Sequence, residues 1–68
     1  MTDAQKLTIK RFEKSWIVDT NFQNEPIVYT YIKDSNNVEE YVVAHDGTPT
    51  HTGTYPYTVR LRNELKRY

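Results

Sequence analysis

The chain has no cysteine in its 68 residues, which excludes disulfide staples and any zinc site built on thiolates. That absence fits a reducing compartment. Glycine occurs only at Gly47 and Gly53, too few and too isolated to form a loop that cradles a phosphate group. No apolar run exceeds a few residues. Trp16-Ile17-Val18 is typical, so no helical membrane span can be built. Nothing apolar follows the Met1-Thr2-Asp3-Ala4-Gln5 start as a leader would require, and a cytoplasmic location is expected. There is also no excess charge of either sign: nine basic and nine acidic residues cancel.

The cancellation is global, not local. Lys6, Lys10, Arg11 and Lys14 outweigh Asp3 and Glu13 in the first fourteen residues. Between residues 15 and 54, Lys33 alone faces Asp19, Glu25, Asp34, Glu39, Glu40 and Asp46. The last fourteen residues carry Arg60, Arg62, Lys66 and Arg67 against Glu64. Basic ends and an acidic middle either fold onto one another or present surfaces of opposite sign to partners.

Sixty-eight residues make one small domain, 1–68, near the lower size limit for folding without staples. At this size apolar burial and chain entropy nearly cancel. A homo-oligomer or a partner surface is therefore a natural source of further burial. Six tyrosines, Trp16, Phe12 and Phe22 supply large side chains in a chain with only three leucines.

β-branched residues predominate, and they suit a pleated surface. Segment 27–33, Ile-Val-Tyr-Thr-Tyr-Ile-Lys, reads as a strand with Ile27, Tyr29 and Tyr31 on one face and Val28, Thr30 and Ile32 on the other. Asp34-Ser35-Asn36-Asn37 reads as a turn, and 38–45 as the returning strand of a hairpin. The segment before Thr20 supports two readings. Alternation of Leu7 with Ile9, and of Phe12, Lys14, Trp16 and Val18, favours a strand with a bulge or a turn near Lys10-Arg11. The rival is a helix opened by a Thr2/Gln5 capping box with Ile9, Phe12 and Trp16 in one stripe. Leu7 lies off that stripe and Thr8, Ile9, Ile17 and Val18 resist it, so the strand is preferred. Thr20 to Pro26 reads as a connection, and Thr48 to Thr54 as a loop without periodicity. Tyr55-Pro56 then opens a helix that gathers Tyr57, Thr58, Leu61, Leu65 and Tyr68 on one side. The expected architecture is α+β: a small antiparallel sheet of three to four strands with one C-terminal amphipathic helix packed on one face.

Chemistry-bearing motifs are scarce. His45, Asp46 and His51 are the only cluster with metal-ligand character. They lack a fourth ligand and an established spacing, so they read as loop residues, and no metal or cofactor is expected. Glu39 and Glu40 are adjacent, hence on opposite faces of a strand, and cannot share a proton as a catalytic dyad would. No nucleophile–base pair can be assembled, so the chain is not read as an enzyme.

What remains is surface. Tyr29, Tyr31, Glu39, Glu40 and Tyr41 form a candidate partner-binding set on the hairpin, where tyrosines anchor and carboxylates steer. Their plainer role is cross-strand aromatic pairing that stabilises a core-poor sheet. Lys10, Arg11, Arg60, Arg62, Lys66 and Arg67 form the alternative, a phosphate-binding set for nucleic acid. A stand-alone protein-interaction module, a small regulator or inhibitor of phage or mobile-element character, is the leading expectation. Such a chain would present carboxylates where a partner expects phosphates. A small nucleic-acid-binding domain ranks second.

Overall fold

A computed structural model describes all of residues 1–68. Six elements follow one another: α1 (Asp3–Arg11), β1 (Ser15–Thr20), β2 (Pro26–Ile32), β3 (Asn37–Val43), β4 (Pro49–Pro56) and α2 (Val59–Leu65). The four strands form one antiparallel sheet in the order β1-β2-β3-β4, so every connection is a short turn between neighbours. The α+β class, the antiparallel sheet and the C-terminal helix on one face agree with the sequence reading. No helix is long and apolar enough to cross a membrane.

The N-terminal segment corrects the preferred reading: residues 3–11 are helical, not a strand. Thr2 caps the helix, its hydroxyl accepting from the Gln5 N–H at 3.1 Å while the Gln5 side chain accepts from the Thr2 N–H at 2.8 Å. Two orphan donors of the first turn are thereby satisfied. Tertiary contacts outweigh the poor helix propensity of Thr8 and Ile9. Gln5, fully buried, donates from Nε2 to the Val43 carbonyl at 3.1 Å, and the Thr8 hydroxyl donates to the Gly47 carbonyl at 2.6 Å. Leu7, which spoiled the helical stripe, is simply left exposed. Only the second half of the expected strand exists, as β1. Its irregularity lies between Ile17 and Asp19 instead of at Lys10-Arg11.

The second correction concerns residues 48–54. They are strand, not loop: β4 pairs along the whole of β3, from Val43 opposite Pro49 to Asn37 opposite Pro56. Nearly every residue of β4 is exposed, so no apolar alternation marks it. The third correction follows from the second. Tyr55 and Pro56 close the strand, Thr58 caps α2 by accepting from the Leu61 N–H at 3.1 Å, and the helix begins at Val59.

Register sorts the side chains into two faces. Trp16, Ile27, Tyr29, Tyr31, Val38, Glu40 and Tyr55 share one, and α2 lies on it, burying Leu65 against Val18, Ile27 and Tyr29. Val28, Thr30, Glu39, Tyr41, Val43 and His51 share the other, beneath α1, whose terminal Phe12 stacks on Tyr41 with ring centroids 5.3 Å apart. The fully buried apolar core is thin: Val28, Val38, Val43 and Leu65.

Both free sheet edges are blunted. β1 bulges at Val18, and β4 bulges at Thr52, between Gly53 opposite Glu40 and His51 opposite Tyr41. The Thr52 hydroxyl donates to the Glu40 carbonyl and carboxylate, at 3.2 and 2.8 Å. With prolines at both ends of β4, these bulges discourage edge-to-edge pairing between molecules.

Candidate interaction surfaces

The hairpin set does not form one patch. Tyr29, Tyr31 and Glu40 belong to the α2 face, whereas Glu39 and Tyr41 belong to the α1 face. Each tyrosine is also half-buried in an aromatic contact. Tyr29 stacks on Tyr55 at 5.8 Å, and Tyr31 meets Tyr57 at 4.6 Å, with Trp16 6.3 Å from the same Tyr57. Tyr41 lies between Phe12 and His51. These cross-strand and helix–sheet contacts give a core-poor sheet much of its large-side-chain packing.

A carboxylate accompanies the tyrosine on each face. The Tyr41 hydroxyl donates to Glu39 Oε2 at 3.3 Å. Burial and the Glu39 carboxylate hold the Tyr41 phenol above its ordinary value. On the opposite face the Tyr29 phenol is pushed up from 10.0 to about 12, by burial first and then by the charge and hydrogen bonding of Glu40. Tyr55 and Glu64 add to the shift. A phenol raised in the folded state favours folding while neutral, fully so below pH 10. As pH rises from about 10 towards 12 the unfolded chain ionises first, so stability falls across that window. Denaturant melts at stepped pH, followed beside phenolate absorbance, should show the loss in wild type and a smaller one in Glu40→Gln. An unchanged midpoint up to pH 12 would remove the Tyr29 assignment.

The histidines separate. His45 points its ring nitrogen at the Gln23 carbonyl, 2.8 Å away, and therefore donates. His51 Nε2 lies 3.0 Å from the Thr54 hydroxyl and 3.8 Å from Glu39. No three His, Cys, Asp or Glu side chains come together in a way that could hold a metal ion. Asp46 instead serves its own turn, accepting from the Thr48 N–H at 3.0 Å, which keeps its carboxyl below the ordinary range.

The sheet divides the basic set. Lys10 and Arg11 end α1 on one face. Arg60, Arg62, Lys66 and Arg67 belong to α2 and its C-terminal end on the other face. Within the second group, Arg60 pairs locally with Glu64 at 3.5 Å. Lys14 sits 5.5 Å from the centroid of the Trp16 ring. Two shallow clefts flank the sheet. One, of ≈ 370 Å³, lies beside Arg11, Phe12, Lys33 and Tyr41. The other, of ≈ 300 Å³, lies between α2 and the sheet, with Asp19, Glu40 and Glu64 at its margin.

Sequence reasoning overlooked one residue. Phe22, inside what reads as a plain connection, is fully exposed at the tip of the β1–β2 turn. The turn-forming Asn21 and Asn24 around it were the available signal. Comparison with protein-family models, with curated proteins and with solved structures yields no match, so the functional reading rests on this geometry.

Proposed function

We propose that the chain is a stand-alone protein-interaction module, a small cytoplasmic regulator or inhibitor that docks a basic surface of a partner protein. One observation carries the reading: the acidic middle is left unneutralised by the basic ends. The one Lys or Arg ion pair is Arg60 with Glu64, and His51 Nε2 lies 3.8 Å from Glu39. Asp19, Glu25, Asp34, Glu39, Glu40 and Asp46 thus have no Lys or Arg partner. Carboxylates hydrogen-bonded by neutral donors but without a Lys or Arg partner keep their charge available to steer and orient a basic surface. The basic residues, split over two faces, make no continuous track for a phosphate backbone.

Affinity capture from the cells that make the protein tests this, with nuclease-treated and untreated extracts compared. The double variant Glu39→Lys/Glu40→Lys should lower capture at least ten-fold, whereas Arg60→Glu/Arg67→Glu should leave it intact. Circular dichroism checks that both variants stay folded. The opposite pattern, together with tight duplex or single-strand binding at about 0.15 M salt, would establish the nucleic-acid reading instead.

A further inference from the structure

Phe22 stands on a turn whose backbone is held by several hydrogen bonds. The Asn21 side chain accepts from the Gln23 and Glu25 N–H groups at 3.1 and 2.9 Å and donates to Glu25 Oε1 at 3.0 Å. The Asn21 N–H donates to the Glu25 carbonyl, and the Asn24 N–H to the Asn21 carbonyl, both at 3.0 Å. Asn24 adopts φ +62°, a left-handed conformation that asparagine tolerates. His45, from the β3–β4 turn at the same end of the sheet, clamps the Gln23 carbonyl. That turn is in turn tied to α1, because the Thr2 hydroxyl donates to the His45 carbonyl at 2.6 Å. The backbone that carries the phenyl ring is therefore fixed by a cross-linked end of the molecule. Little backbone ordering remains to be done on binding, and only the side-chain torsions of Phe22 are left to settle.

The position matters because apolar side chains are scarce. Of two phenylalanines, Phe12 stacks on Tyr41, and Phe22 touches no core, in a fold with four fully buried apolar residues. The other exposed aliphatic side chains are Met1 at the chain's first residue, Leu7 and Val59 on the helices, and Ile17, the least exposed of them, on β1. Asp19 and Glu25 flank the tip in the chain, and Asp46 follows the His45 that contacts it. Residues 15–32 contain no Lys or Arg, and none of the three carboxylates is in an ion pair.

We infer that Phe22 is the anchor of the partner interface, filling a phenyl-sized apolar pocket whose rim carries Lys or Arg. A rigid aromatic inserted into a desolvated pocket is the usual centre of an interface, and the carboxylates around it select a cationic rim. The inference rests on the interaction-module reading and names where and with what chemistry the module binds.

The test uses the full chain carrying a benzoylphenylalanine photophore at position 22, or at Val59 as control, in the cells that make it. A protein adduct is expected from position 22 and not from 59. Excess wild type should suppress it, while Phe22→Ala should compete at least ten-fold less well and Phe22→Trp should recover much of the potency. Phe22→Ala should melt as wild type does, since the ring packs on nothing. Equal competition by Phe22→Ala would overturn the inference. No adduct from position 22, with capture still sensitive to Glu39→Lys/Glu40→Lys, would remove the anchor and leave the module standing. Failure of both would remove both. Sedimentation of the chain alone, and with phosphatidylcholine/phosphatidylglycerol vesicles, should show neither self-association nor binding. A Phe22-dependent signal in either would assign the tip to a second copy or to a lipid surface and overturn the inference.

Discussion

Leu65→Ala should lower the stability of the fold by about 2–4 kcal/mol, the range for truncating a buried leucine. Leu65 is 2% exposed and is the only fully buried residue that α2 contributes. The helix has seven residues, too few to persist alone in water. Its capping by Thr58 satisfies a donor but does not fix it to the sheet. Docking therefore depends on Leu65, with Leu61 beside it, against Val18, Ile27 and Tyr29. A domain of this size has total stability on the order of 3–10 kcal/mol, so the variant should lose a large part of it. Urea titration should show a lowered midpoint, and far-ultraviolet circular dichroism should lose helical signal ahead of the sheet. Val59→Ala, on the exposed side of the same helix, should melt as wild type does. A Leu65→Ala urea midpoint equal to that of wild type would mean that α2 is not held by this contact.

What was legible in the sequence follows from which side chains bury. The central hairpin was readable because Val28 and Thr30, two residues apart, bury on one face of β2 while Val38 of β3 buries on the other, so period-2 patterning survives. The C-terminal helix was readable because Leu61 and Leu65 are one helical turn apart, and the one apolar residue off their side, exposed Val59, sits at the helix start. Its start was misplaced because Tyr55-Pro56 suits a helix N-terminus as well as the end of a strand. β4 was illegible for the opposite reason: an edge strand with solvent on most sides has no need of apolar alternation. Its repeated Thr50, Thr52 and Thr54 were the only mark of a strand. α1 failed on burial of the wrong type. The residue it hides completely is Gln5 and the one it exposes is Leu7, so the hydrophobic stripe misleads while the capping box speaks truly.

The candidate surface divides along the same line. Adjacent residues on a strand face apart, so the split of Tyr29 and Glu40 from Glu39 and Tyr41 was derivable once the hairpin register was assumed. The placement of the basic ends on opposite faces was not derivable, because it depends on which face each helix chooses. Nor could the sequence show that Phe22 stays in water, since a turn's contacts come from elsewhere in the chain, here from His45.

Gly47→Ala should destabilise the protein by roughly 2–5 kcal/mol, combining about 1–2 for a left-handed alanine with about 1–3 for overpacking. Gly47 is buried and holds φ +90°, where its N–H donates to the Ala44 carbonyl at 2.8 Å to close the β3–β4 turn. A methyl group there would sit 2.9 Å from the Ala4 carbonyl oxygen and 3.0 Å from the Thr8 hydroxyl. The first of these is helix backbone and cannot swing aside, so α1 must lift from the turn. The Thr8–Gly47 and Gln5–Val43 hydrogen bonds anchor that helix and would weaken together. Gly47→Asn separates the two causes, because asparagine tolerates positive φ but still carries the Cβ. If packing dominates, Asn and Ala variants should melt almost alike; if backbone strain dominates, Asn should regain much of the loss. Gly53→Ala is the comparison and should cost less. Its methyl would press on the Tyr55 side chain (hydroxyl 2.9 Å, ring atoms 3.1 and 3.2 Å) and disturb its stack on Tyr29, but meets no helix backbone and needs no positive φ. Hydrogen exchange on the Gly47→Ala variant should show α1 amides opening before those of β2 and β3. Unchanged protection in α1 would mean that the helix is not seated on this turn.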